Sequence, residues 1–467
     1  MDKVNIPALE ALSSLSENSK VVAYDPVAGK TGLAPVSLIS GSGWCGRRWN
    51  VSASSPVGEA VGNINKLANL PDLLGLGCYL VQNNHSRRKL SASNHYQFAG
   101  GGTALLDGTM GHYQWGWGTG FYYAAWTEGS YLYEAIDLVP IKGKMNYYIP
   151  IASRSASGFA TIDRTNNIMV SYCNTDAQYR GGNNDSSKDG QFNTQLGRPA
   201  SSMTAAAFEA AARRNGDRWC ATFHAMEFIT GALFRIIMGT RNVQTAFNAN
   251  LDANGLHQGG IGDGVSAPTD WSGAWEYFPF LPMDAGASEG DKLGTILHTL
   301  STSGGGTEVR TMSSFFGLKN FYHYLYNMCP SLVCEDNADL TMSFYATLKL
   351  DSNAFDNTTK TGKQLVCTSP VNSAEWKYIS QLNMEYLCGV PLALDGSSST
   401  YFCDGFYKDS STSGLRLALL GGNAVDGALC GLACLSANRG VSNSSASCGS
   451  ALCEAAEDWD TTPFLGA

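Results

Sequence analysis

Short aromatic and β-branched runs, cut apart by glycine and asparagine clusters, fill residues 44 to about 145, and this alternation predicts a β-rich region. His112-Tyr113-Gln114-Trp115 is one such run, and Phe121-Tyr122-Tyr123-Ala124-Ala125-Trp126, followed by Tyr131-Leu132-Tyr133, is another. Aromatic and branched side chains fit a pleated surface, and glycine takes the positive φ that tight connections require. One helix is expected to interrupt the region near Val57 to Leu74.

Beyond it the periodicity changes. Thr204 to Arg214 predicts a helix, with Thr204 as the cap, alanines and Phe208 in its body and Asn215-Gly216 as the stop. A longer helix is expected from about Trp219 to Met238, where Phe223, Met226, Ile229, Leu233 and Ile237 recur at three- and four-residue spacing and make one wide apolar face. Phe315 to Met328 reads as a short helix or an aromatic-rich loop. After Pro330, alternating or short apolar runs return at Leu340 to Ala346, Tyr401-Phe402-Cys403 and Leu415 to Leu420. No repeat of solenoid or propeller period is present, so the fold class is α+β.

Residues 1–43 read as a small N-terminal unit, ending in the Gly-Ser-Gly linker at Gly41 to Gly43. Val21-Val22-Ala23-Tyr24 forms a short strand before the turn-rich Asp25-Pro26-Val27-Ala28-Gly29, and a lone strand needs a partner, expected from another chain or a larger assembly.

Composition removes whole classes of function. A net charge of -9 with no basic run lacks the footprint of phosphate-backbone binding, so nucleic acid is not an expected partner. The start MDKVNIPALEALSSLSENSK has no apolar stretch, and no window approaches 18 uninterrupted apolar residues, so neither export nor membrane insertion is expected. The 13 cysteines are odd in number in a long chain and read as buried thiols made in a reducing cytoplasm.

Chemical motifs are sparse. Gly29-Lys30-Thr31 ends like a phosphate-binding loop, but the first glycine of that motif would fall at Tyr24, so the segment reads as a turn. Gly100-Gly101-Gly102 and Gly304-Gly305-Gly306 read as loops. His224, on the predicted core helix, and His323, in the aromatic stretch, read as hydrogen-bonded structural imidazoles. The pairs Cys329 and Cys334, Cys430 and Cys434, Cys448 and Cys453 lack the spacing of a zinc knuckle, so no metal is assigned. The acids Glu454, Glu457, Asp458 and Asp460 read as a solvated face.

From Gly421 the chain runs GGNAVDGALCGLACLSANRGVSNSSASCGSALC, in which Trp, Met, Lys, Glu and Gln are all missing. This segment resembles the variable region of retroelement-diversified proteins, which display it on a C-type-lectin-like fold and whose adenine-directed mutagenesis excludes those five residue types. Tyr401-Phe402-Cys403-Asp404-Gly405-Phe406-Tyr407 and Gly414 to Gly422 resemble the strand and turn that lead into that region. Ser314 to Tyr322 resembles the family's S-[YF]-[RF]-G-[IL]-x-N segment, and Gly239 to Ala246 resembles the end of the fold's core helix. Residues 1–43 resemble the attachment segment of phage tail-fibre proteins, so the whole chain is similar to receptor-binding adhesins of the major-tropism-determinant type.

The resemblance implies a tail-attachment segment at 1–43, a β-rich spacer at 44–145 and a C-type-lectin-like receptor-binding domain at 146–467 with its variable region at 421–453. It implies a homotrimer on the virion tail fibre, made in the host bacterial cytoplasm. Such a protein contacts tail or baseplate proteins and a bacterial surface receptor, protein or glycan, without enzymatic chemistry, cofactor or metal. The expected outward contact positions are Asn423, Val425, Leu429, Cys430, Ala433, Cys434, Ser436, Ala437, Asn438, Arg439, Asn443, Ser445 and Ser447. The calcium-dependent sugar tripeptides are absent, Leu70-Pro71-Asp72 being the nearest approach. A bacterial surface lectin or a formylglycine-generating-type enzyme are the alternatives, and for the enzyme no active-site cysteine arrangement is assignable.

Overall fold

The computed structural model describes residues 20–25, 30–35, 43–191, 194–252, 255–257, 259–262, 281–301, 306–339, 341–351, 355–370, 375–408 and 413–467. Strand Lys20–Asp25 forms as expected, and its partner is Lys30–Pro35 of the same chain, paired antiparallel with Lys20 opposite Pro35. The strand expected to need another subunit is thus paired within its own hairpin. The Gly29 turn lies outside the described residues.

The β-rich character of the spacer is present, in two larger sheets. The first has six antiparallel strands in the order Phe464–Leu465, Met145–Ile149, Phe121–Glu128, Tyr131–Asp137, Cys45–Asn50 and Glu59–Gly62. Its central hairpin turns on Gly129 and Ser130, and Gly129 takes the positive φ of 60° that a primed two-residue turn needs at its first position. The second sheet has seven antiparallel strands, ordered Trp219–Cys220, Cys453–Ala455, Ala152–Ser155, His112–Gly116, Gly77–Val81, Arg87–Ser91 and Asn94–Phe98. Both sheets cross the expected boundary at 145, since strands from before and after it are hydrogen-bonded neighbours in each.

A third sheet of eight strands belongs to the C-terminal part. Its path runs Gln364–Ser369, Met342–Ala346, Tyr326–Asp336, Gly414–Leu420, Leu435–Ala437, Gly405–Lys408 and Lys377–Tyr378, and Cys448–Gly449 pairs parallel to Tyr326–Asp336 off that path. Tyr401-Phe402-Cys403, expected as a strand, is instead a turn with Tyr401 and Cys403 at positive φ.

Among the described residues, helices are few and short except one. Ala205–Ala212 forms where expected, with the Thr204 hydroxyl accepting from the Ala207 N–H at 3.1 Å. The helix expected over Val57 to Leu74 is confined to Ile64–Ala68 and Leu70–Leu74, because Glu59–Gly62 is taken up as an edge strand. The long helix is His224–Met238, starting later than expected because Trp219–Cys220 pairs with Cys453–Ala455. Residues His224 to Ile236 are buried on every side, not on one face.

That burial is possible because the helix packs against strands of all three sheets, among them Cys45–Asn50, Tyr131–Asp137, Ala152–Ser155 and Tyr326–Asp336. Its two charged side chains are paired with strand residues. Glu227, in the first turn, meets Arg154 at 2.5 Å, and Arg235, in the last turn, grips Glu134 through two nitrogens at 2.6 and 2.9 Å. An acid near the N-terminus and a base near the C-terminus also suit the helix dipole. Gly239 closes the helix at φ 70°, its N–H donating to the Arg235 carbonyl.

The aromatic stretch Phe315 to Met328 is neither of the two expected forms throughout. Thr307–Phe315 and Leu318–Lys319 make a hairpin whose turn residues, Phe316 at φ 48° and Gly317 at φ 92°, both lie in the left-handed region, and Tyr326 opens the long strand. A bulky residue at positive φ is strained, and Phe316 is held there by packing on Phe315.

Candidate functional site

The segment 421–453 is stitched into the third sheet and the loop before it. Gly421 N–H donates to the Cys434 carbonyl at 3.1 Å, Ala424 N–H to the Tyr324 carbonyl at 3.0 Å, and Tyr326 N–H to the Ser447 carbonyl at 2.9 Å. Gln244, on the short helix Val243–Phe247, donates to the carbonyls of Gly427 and Cys430 at 3.0 and 2.8 Å. Asp404 accepts from the Ala433 N–H at 2.8 Å, and a side chain at Gly431 would collide with its carboxylate. Glycine is required there by close approach.

This anchoring corrects the expected contact face. Asn423, Cys430, Ala433, Cys434, Ser436, Ala437 and Ser447 are buried. The physical reason is local: Leu435–Ala437 lies between Gly414–Leu420 and Gly405–Lys408, so both its edges and both its faces are covered. Cys430 gives its thiol proton to the Asn423 carbonyl at 3.1 Å, and burial pushes the thiols of Cys430 and Cys434 well above their ordinary pKa. Asn423 turns inward to cap its own loop, its Oδ1 accepting from the Val425 N–H at 3.0 Å.

Val425, Leu429, Asn438, Asn443 and Ser445 are half-buried, and Arg439 is exposed. They fall in two places, the bend 425–429 and the loop 438–446. The sequence reading passed over Ser442 and Ser444, which are exposed in that loop. Serines alternating with Asn443 on a turn at Gly440 were the available signal. The loop is tied down by Leu417 N–H to the Arg439 carbonyl at 2.9 Å and by Asn357 Nδ2 to the Val441 carbonyl at 3.3 Å.

Among the other candidates, all 13 cysteines are free thiols and most are buried, as expected. His224 is hydrogen-bonded as expected, to the Ser331 hydroxyl at 3.0 Å and the Tyr386 carbonyl at 3.2 Å, and burial lowers its pKa to about 4. His323 is fully buried and stacked on Tyr322, and among the described residues its ring nitrogens make no well-formed hydrogen bond. Glu454 is not part of a solvated face, because its strand runs inside the second sheet, where it pairs with Arg87 and His85 and accepts from Ser153 at 2.7 Å. Glu457 and Asp458 are exposed as expected.

Away from the C-terminal segment, Cys78, His95 and Asp291 bring one potential metal donor atom each to within 4.8 Å of one another. No protein-family model and no curated protein matches the chain.

Proposed function

We propose that the chain is a receptor-binding adhesin of the phage tail-fibre type, a homotrimer that binds a bacterial surface receptor through its C-terminal part and performs no chemistry. Residues 1–43 would attach it to tail or baseplate proteins, and residues 146–467 would carry the C-type-lectin-like face. The observation that carries this reading is the loop 438–446, exposed at Arg439, Gly440, Ser442 and Ser444 and flanked by the buried strands Leu435–Ala437 and Cys448–Gly449. A face that changes partner needs side chains that can be exchanged without disturbing the packing beneath them, and this loop has that property. The absence of Trp, Met, Lys, Glu and Gln from 421–453 supports the same reading.

The contact face is accordingly Val425, Leu429, Asn438, Arg439, Asn443 and Ser445, joined by Ser442 and Ser444. Arginine is enriched among interface hot spots, so Arg439→Ala is expected to weaken binding more than Ser442→Ala. The test is adsorption of purified protein to a panel of gut bacterial strains. Joint replacement of the exposed Arg439, Ser442 and Ser444 should abolish or redirect adsorption while Tm stays within a few degrees, since exposed substitutions cost about 0.5 kcal/mol or less. Adsorption unchanged by the triple replacement would overturn the assignment of this face.

A further inference from the structure

We propose that Cys78, His95 and Asp291 form a buried binding site for one divalent transition-metal ion, zinc in the first instance, that ties the second sheet to the turn leading into strand Gly294–Ser301. This inference is independent of the adhesin reading. The three donors come from separate places: Cys78 from strand Gly77–Val81, His95 from strand Asn94–Phe98, and Asp291 from the turn after the short helix Ala287–Glu289. Their donor atoms all lie within 4.8 Å of one another, and His95 Nε2 is 2.9 Å from Asp291 Oδ1. A tetrahedral zinc ion, bound at about 2.0 Å to nitrogen and oxygen and about 2.3 Å to sulfur, needs its ligand atoms roughly 3.3 to 3.8 Å apart.

Gly317 supplies the second observation. A Cβ there would stand 2.7 Å from Asp291 Oδ1, 2.8 Å from Cys78 Sγ and 3.1 Å from His95 Cε1, so all three ligand side chains meet beside a residue that has no side chain. Gly77 is likewise closed to any side chain by the Asp291 carboxylate. The backbones of these two glycines therefore pack directly against the donor cluster, with no side chain between.

The chemistry of the donor set fits a borderline-soft ion, because a thiolate and an imidazole select zinc over magnesium or calcium. His95 is held from behind by the Tyr113 hydroxyl, 2.5 Å from Nδ1, which is the outer partner that a metal-ligating histidine usually has. The buried Lys319 ammonium beside the cluster is directed at Tyr113 at 3.1 Å and the Gly317 carbonyl at 2.9 Å. Binding would replace the Cys78 thiol proton, now directed at the Gly317 carbonyl 3.5 Å away, and release it to solvent.

The test is titration of the metal-stripped full chain with Co2+ and Zn2+. One equivalent of Co2+ should give tetrahedral d–d bands and a thiolate-to-cobalt charge-transfer band, and Zn2+ should displace it. Cys78→Ser should remove the charge-transfer band although the other cysteines remain, and Asp291→Asn and Tyr113→Phe should each weaken binding by about ten-fold or more. X-ray absorption of the zinc-loaded wild type is a second readout that needs no variant, and it should show one sulfur at about 2.3 Å with nitrogen and oxygen at about 2.0 to 2.1 Å. No stoichiometric binding, an absorption shell with no sulfur or several, or a charge-transfer band that survives in Cys78→Ser would overturn the proposal and leave the cluster as a hydrogen-bond network.

Discussion

Asp404 shows how one buried carboxyl can govern the C-terminal segment. It is almost fully buried, it accepts the Ala433 N–H, and burial raises its pKa well above the ordinary carboxylate range. A folded-state pKa above the unfolded value means that the folded chain binds this proton more tightly. The stabilising contribution is complete below the unfolded pKa of about 3.9 and is lost as pH rises through the folded pKa. Asp404→Asn keeps an acceptor for Ala433 and cannot ionise, so its Tm should exceed that of the wild type by a margin that grows between pH 5 and pH 8. Thermal melts at the two pH values check this, and a margin that shrinks with pH would refute it. Gly431→Ala, which drives a methyl into the same carboxylate, should cost about 1–3 kcal/mol by chemical denaturation.

At the scale of elements, the long helix and the strand Leu435–Ala437 make opposite uses of burial. The helix buries the Arg235–Glu134 pair, whose carboxylate also accepts from Tyr123 at 2.9 Å. Removing one partner leaves a buried charge alone, so Glu134→Ala should destabilise by about 3–5 kcal/mol. The double replacement Glu134→Leu with Arg235→Met should cost much less than Glu134→Ala, and equal costs in urea melts would show that the pair is not what matters. The strand, by contrast, sits among variable-looking residues but has no room. Ser436→Tyr should lower Tm by several degrees, whereas Arg439→Tyr in the adjoining exposed loop should leave it nearly unchanged.

For the whole molecule, the shared sheets decide what can fold alone. A chain truncated to residues 146–467 loses His112–Gly116 beside Ala152–Ser155 and Phe121–Glu128 beside Met145–Ile149, leaving both remaining strands as bare edges. It should be insoluble or lack a cooperative melt, while residues 43–467 should fold. A soluble, cooperatively melting 146–467 fragment would restore a domain boundary at 145. The full chain is expected to be a trimer by light scattering at micromolar concentration, and a monomer would count against the adhesin reading.

The segments legible from sequence were those whose structure is local. The Thr204 cap with its stop at Asn215-Gly216, and the strand at Val21, each follow from a residue's own backbone preference or from a short periodic run. The composition of 421–453 likewise singled out a segment with an exposed loop. What it could not convey was which side of that segment faces inward, because burial of Cys434, Ser436 and Ala437 depends on strands contributed by residues 405–408 and 414–420. The same holds for Cys78, His95 and Asp291, separated by up to 213 residues and joined only where two strands of the second sheet meet the turn after helix Ala287–Glu289. Local propensity is written in neighbouring residues, but burial and side-chain convergence are properties of distant segments packed together, and only the tertiary structure decides them.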